Sequence, residues 1–150
     1  MVNSDTEAAN PQQALDDVAA RWNAAADPWS ADALAAIYTV DALFFGGRPG
    51  HSVGAQAIHT YFKSYEGVIR SGRMLLVDQH IKCLAPSCVM SQGFVEFSFE
   101  LADGQVTQSR LRTTLVMVRD QGDWQIAQHH FSTTPEVPPL GQSALRQAHD

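Results

Sequence analysis

The chain has 150 residues, 45% hydrophobic and 17% charged, which fits one ordinary globular domain and excludes a largely disordered segment. Its formal net charge of −6, with ten scattered Lys and Arg, offers no basic stripe for a phosphate backbone and argues against nucleic acid as a partner. No run approaches the roughly 18 consecutive apolar residues of a membrane span, and the polar start lacks a secretory pattern, so a cytoplasmic protein without membrane contact is expected.

Residues 1–10 are polar and acidic and read as a flexible N-terminus. Asn10 then offers a capping side chain, Pro11 a first helical position and Gln13 a capping-box partner. Leu15, Val18, Ala19, Trp22 and Ala26 form one apolar stripe, which predicts a helix from about Pro11 to Ala26. Asp27-Pro28-Trp29 ends it, and Ser30 caps a short second helix carrying Leu34, Ile37 and Tyr38. Asp41 to Phe45 reads as a short extended piece and Gly46 to Gly50 as a loop. Ser52 is placed as the cap of a third helix ending near Gly67, with Ala57, Ile58, Tyr61, Phe62 and Tyr65 on one face.

From Arg73 onward, turn signals at Ala85-Pro86, Asp103-Gly104 and Gln121-Gly122 divide the chain into four strands. At about 10 to 15 residues against a usual five or six, these strands must bend, and Gly93 is a natural kink site. The segment Pro135 to Pro139 cannot continue a ladder, so the domain is bounded at 11–134 and followed by a loosely held tail, 135–150. A tight turn between Cys83 and Cys88 sets them opposite each other; a disulfide fits that geometry, but reduced thiols are expected in a cytosolic compartment.

Hairpin geometry then assigns faces. A three-residue loop at Asp120-Gln121-Gly122 places Arg112 opposite His130 and Thr113 opposite His129, and a two-residue turn at Asp103-Gly104 sets Val95 beside Arg112 and Glu96 beside Leu111. One face collects Val95, Phe97, Arg110, Arg112, Thr114, Val116, Trp124, Ile126, Gln128 and His130. The other collects Met90, Phe94, Glu96, Leu111, Thr113, Leu115, Met117, Ala127, His129 and Phe131. With apolar residues on both, both must be covered, one by the helices and one by a second subunit, which predicts a homodimer.

The second face reads as the wall of a pocket for a small, largely apolar molecule, built from Phe94, Leu111, Thr113, Leu115 and Phe131 with Trp22 and Tyr61 from the helices. His129 and Glu96 are its catalytic candidates, because an imidazole exchanges protons near neutrality and a carboxylate on the same wall can orient it. The structural alternative has His129 bonded to Thr113 and Glu96 turned to solvent. Arg112, Trp124, Gln128 and His130 make a dimer face or a second polar site, where a guanidinium fork suits a carboxylate. His51, His59, His80 and His149 share no metal-ligand spacing, and neither a metal nor a cofactor is expected.

Trp22 in helix one, Tyr38-Thr39-Val40-Asp41-Ala42, the Gly54 to Phe62 run opening helix three, Arg112-Thr113-Thr114, Gly122-Asp123-Trp124-Gln125-Ile126 and His129-His130-Phe131-Ser132 together carry a family resemblance. Over roughly Gln12 to Thr134 the chain resembles the nuclear transport factor 2-like (NTF2-like) superfamily, in its SnoaL-like and calcium/calmodulin-dependent kinase II association-domain branch. The resemblance implies an α+β, cone-shaped fold, with a strongly curved antiparallel sheet wrapped over three N-terminal helices and a pocket between them. Such proteins include ketosteroid isomerases, polyketide cyclases, dehydratases and non-catalytic assembly domains. Trp22 stands where the isomerases carry an oxyanion-holding tyrosine and Gly46 where they carry a base aspartate; glycine has no group to take a proton, so steroid-type isomerisation is not implied. Leu115 and Phe131 stand where the kinase association domain has pocket arginines, which implies a more apolar cavity. The expectation is a small-molecule-binding protein. The alternatives are a cofactor-free isomerase, cyclase or dehydratase using His129 and Glu96 with Thr113 and Tyr61 as orienting donors, or a non-catalytic association domain.

Overall fold

The computed structural model describes residues 10–143, so nearly all of the expected flexible N-terminus and the end of the tail lie outside the described residues. Helix α1, Pro11–Ala25, begins where the Asn10 side chain accepts the backbone N–H groups of Gln12 and Gln13, and it buries Leu15, Val18 and Trp22. Helix α2, Ala31–Ala35, is capped by the Ser30 hydroxyl, which accepts the Ala33 N–H at 3.1 Å. Strand β1, Tyr38–Phe45, and the two-residue strand β2, Ser52–Val53, precede helix α3, Ala55–Lys63. Ser52 therefore belongs to a strand instead of capping α3; Gly54 holds the cap position at φ 89°, a left-handed conformation that a side chain disfavours. The helix also stops at Lys63, short of Gly67.

Strands β3, Ile69–Ala85, β4, Cys88–Leu101, β5, Val106–Val118, and β6, Gln125–Ser132, form the expected antiparallel meander. Together with β1 and β2 they make a curved, unclosed six-stranded sheet in the order β2-β1-β6-β5-β4-β3. One pair departs from an all-antiparallel sheet: β1 runs parallel to β6, which the long excursion through α3 and the meander permits. Near its middle, β3 carries an irregularity between Val77 and His80, opposite Gly93, with Asp78 at φ 51°. A Cβ at Gly93 would overlap the Asp78 carbonyl and the Gln79 side chain, so glycine is required at this expected bend.

Helix α1 meets the sheet through more than apolar contact. The Asn23 amide donates to the Met74 carbonyl at 3.0 Å and its oxygen accepts the Met74 N–H at 2.6 Å, so one side chain pairs with the edge strand as a neighbouring strand would.

Two loops differ from the sequence pairing, with large effects on which residues point inward. Leu101 N–H donates to the Gln105 carbonyl and Gly104 sits at φ 93°, so Ala102-Asp103-Gly104 is a three-residue loop instead of a two-residue turn. The extra loop residue sets Val95 opposite Leu111 and Glu96 opposite Arg110, turning the whole of β4 over relative to the expected pairing. Between β5 and β6 the last pair is Val118 with Gln125, so the connection is also longer than three residues. Thr114 faces His130 and Leu115 faces His129, a two-residue shift that keeps each of these side chains on its expected side. A register shift next to Val116 and Met117 then reverses parity, which brings Trp124 and Ile126 inward. At the β3–β4 turn, Cys83 pairs with Val89 and Cys88 with Ala85, so the two free thiols are not opposite each other as expected.

Candidate functional site

Turning β4 over fills the inner face with aromatic groups. Phe97 and Phe99 from β4, Leu111 from β5 and Phe131 from β6 meet Trp22 of α1, Trp29 of the α1–α2 connection, and Tyr61, Phe62 and Tyr65 at α3. They enclose a cavity of about 270 Å³, with Gly47 and Ser109 at its edge. The rings interlock: Trp22 lies 5.7 Å from Phe97, Phe97 lies 4.9 Å from Phe131, and Trp29 meets Tyr65 edge-on at 6.1 Å. Trp29 is fixed by its indole N–H, which donates to the Phe62 carbonyl at 3.1 Å. A neighbouring groove shares Gly47, Leu111 and Phe131 with the cavity, so these three residues border both spaces.

Tyr61, Tyr65 and Ser109 bring polar groups to this wall, and Tyr61 is the one among them with a resolved hydrogen bond across it. Its hydroxyl accepts the Gly47 N–H at 2.8 Å, and burial raises it above the ordinary phenol range while the Gly47 N–H pulls it partly back. A Cβ at Gly46 would overlap that same hydroxyl. The absence of a carboxylate at Gly46, noted in the sequence, thus coincides with a space that the Tyr61 ring occupies.

His129 sits behind this cavity and does not line it. Its ring is fully buried against Phe44 and Phe131, and Nδ1 lies 2.7 Å from the Tyr38 hydroxyl. Burial, with a smaller contribution from neighbouring His130, holds its pKa down to about 3, so the imidazole is neutral at ordinary pH. Burial likewise holds the Tyr38 hydroxyl above the phenol range. Nε2 of His129 and Nε1 of Trp22 lack hydrogen-bond partners among the described residues. The expected structural partner, Thr113, instead donates to the His130 carbonyl at 3.0 Å. Thr113 and Leu115 lie on the inner face but within the packed layer, outside the cavity lining.

Glu96 is on the opposite side of the sheet. It accepts from Arg110 at 3.0 Å on the outer face, so the expected pairing of Glu96 with His129 does not form. Phe94 is outside as well, under the Arg110 guanidinium at 4.8 Å, and is not part of the pocket wall. Arg112, Gln128 and His130 share this outer face, as expected. Trp124 does not join them: it is buried, with Arg119 stacked over it at 4.9 Å and its carbonyl accepting from Arg21. Of the seven residues expected to line the pocket, Trp22, Tyr61, Leu111 and Phe131 do so.

The residues missed include Tyr38, the partner of His129, and, around the cavity, Phe62, Tyr65, Phe97 and Phe99. For Phe97 and Phe99 a signal was present: three alternating aromatic or β-branched residues, Val95, Phe97 and Phe99, form a better inward set than Phe94, Glu96 and Ser98. Among the described residues no three His, Cys, Asp or Glu are grouped to hold a metal ion, and no helix is long and apolar enough to cross a membrane.

The SnoaL-like domain family matches residues 15–136. No curated protein matches the chain. Among solved structures, the fold is similar to a candidate calcium/calmodulin-dependent protein kinase II association domain from Xanthomonas campestris, 23% identical with a TM-score of 0.73 over 84% of this chain and 87% of that one. It is also similar to a candidate scytalone dehydratase from Novosphingobium aromaticivorans, 15% identical with a TM-score of 0.71 over 94% and 99% of the two chains. A nuclear transport factor 2-like superfamily protein from Salmonella enterica is 17% identical with a TM-score of 0.69 over 87% and 96%. These likenesses establish a shared fold.

Proposed function

The chain belongs to the SnoaL-like domain family, and from that premise we propose that it binds a small, largely apolar molecule in the cavity between its helices and its sheet. The observation that carries this reading is the aromatic enclosure itself. Trp22, Trp29, Tyr61, Phe97, Phe99 and Phe131 surround about 270 Å³ of space, just under the roughly 300–1,000 Å³ typical of drug-sized ligand sites. That volume suits a compact body of one or two rings, with the Tyr61 hydroxyl as a polar handle.

Binding is favoured over acid–base chemistry by His129 and Glu96, because the carboxylate is on the outer face and the imidazole is buried behind the cavity wall. A homodimer is the assembly we propose, with a seam that leaves Arg112 and His130 open, because the outer face around them is less apolar than expected once Val95, Phe97, Trp124 and Ile126 are buried. Native mass spectrometry of freshly purified protein tests the assembly and reports any co-purifying molecule.

The binding reading is tested by titrating naphthalene, an uncharged two-ring probe, while following backbone amide signals. Saturable shifts at Phe97, Phe99, Leu111 and Phe131 are expected, with affinity reduced at least tenfold in Leu111→Trp, which adds bulk where the cavity borders the groove. No saturable shifts, or undiminished binding by a folded Leu111→Trp variant, would reject the cavity as the site.

A further inference from the structure

We propose a second ligand site on the outer face of the sheet, in which Arg112, with His130 and Thr114, binds a small organic carboxylate. This site is separate from the apolar cavity, and the two can fail independently. It begins with the irregularity in β3. Where Asp78 and Gln79 leave the β4 ladder opposite Gly93, the outer surface becomes a dish of about 520 Å³, bordered by Asp78, His80, Phe94, Arg112, Thr114 and His130.

The register explains how these groups converge. Arg112 and Thr114 are two residues apart on β5 and so point to the same side. Arg112 lies between Phe94 of β4 and Ser132 of β6, and Thr114 lies between Gln92 and His130. Directly opposed side chains start about 5 Å apart and diagonal ones about 7–8 Å, so the guanidinium, the hydroxyl and the imidazole can reach one ligand of carboxylate size.

The charges distinguish this place from the rest of the face. Arg110, one turn of the ladder away, is neutralised by Glu96 at 3.0 Å. Arg70 is similarly paired with Glu100 at 2.7 Å. Arg112 has no hydrogen bond or ion pair among the described residues, and it borders the dish directly. Asp78, the one carboxylate in the dish, is on its far rim, 3.8 Å from His80. A planar guanidinium offers parallel N–H donors that a carboxylate accepts two at a time, which selects a carboxylate over a neutral acceptor. The His130 ring is held against Phe45 at 5.2 Å, so the imidazole beside the site is already oriented.

The test is a titration of the intact chain with benzoate, using benzamide as the neutral counterpart and following backbone amides. Saturable shifts at Phe94, Arg112, Thr114 and His130 are expected with benzoate and not with benzamide, and they should persist when naphthalene is present to fill the cavity. Arg112→Gln should weaken benzoate binding at least tenfold, and Arg112→Lys, which keeps the charge without the fork, should fall between the two. Arg112 is exposed, so neither variant should unfold the chain. Benzoate shifts confined to the cavity residues, equal binding of benzamide, or undiminished binding by Arg112→Gln would overturn the proposal. So would protein-concentration-dependent shifts of these same amides without benzoate, which would assign the dish to a second copy of the chain. A negative naphthalene titration with positive benzoate results would reject the cavity reading alone.

Discussion

His129 and His130 are adjacent in sequence and opposite in environment. His129 is sealed among Tyr38, Phe44 and Phe131, neutral and beyond the reach of solvent, while His130 stands on the outer face beside Thr114 and against Phe45. The same division separates Phe97 from Glu96, and Thr113 from Arg112. One residue of parity decides whether a side chain builds a dry aromatic enclosure or a wet polar surface. Residue type alone therefore says little about a histidine in this sheet.

The comparison is most sharply broken by truncating one member of each side. Phe97→Ala removes an interlocked inner ring and should cost about 3–5 kcal/mol in urea unfolding, whereas Phe94→Ala on the outer face should cost about 1 kcal/mol or less. Equal losses would mean that the two faces are not energetically distinct.

Acid gives the next largest contrast. His129 stays neutral in the folded chain down to about pH 3, whereas an unfolded histidine takes up its proton near 6.5. Between these values the unfolded state binds more protons, so the contribution is fully present above about pH 6.5 and is lost as pH falls toward 3, by up to about 1.4 kcal/mol per pH unit. His129→Phe should flatten that part of the urea-midpoint profile, and His130→Gln should leave it in place. The smallest effect belongs to Glu96→Gln, which breaks an exposed ion pair and should change stability by less than about 1 kcal/mol and leave naphthalene binding intact; a strong loss of binding would restore Glu96 to the pocket.

Much of this architecture was legible because local signals were strong. Asn10 and Ser30 cap the helices they were expected to cap, the four-strand meander is present, and Gly93 marks a bend. The candidate site was legible only in part, because it depended on loop length. The Asp103-Gly104 signal suits two-residue and three-residue hairpins alike, and the observed loop turned Glu96 and Phe94 out and Phe97 in. The bulge near Met117 was not read from the sequence; in the structure it buries Trp124 and Ile126 on even positions and His129 on an odd one. The Tyr38–His129 contact was not legible, because it depends on β1 lying parallel to β6, a non-local pairing that no turn specifies.

The Asn23 contact has a kinetic consequence for any guest of the cavity. Trp22, the preceding residue, forms part of the enclosure, so lifting α1 to admit a molecule would first have to break both bonds between Asn23 and Met74. Under the proposed binding reading the helical wall would then be the slow door, and passage would fall to the side where Gly47, Leu111 and Phe131 border both the cavity and the neighbouring groove.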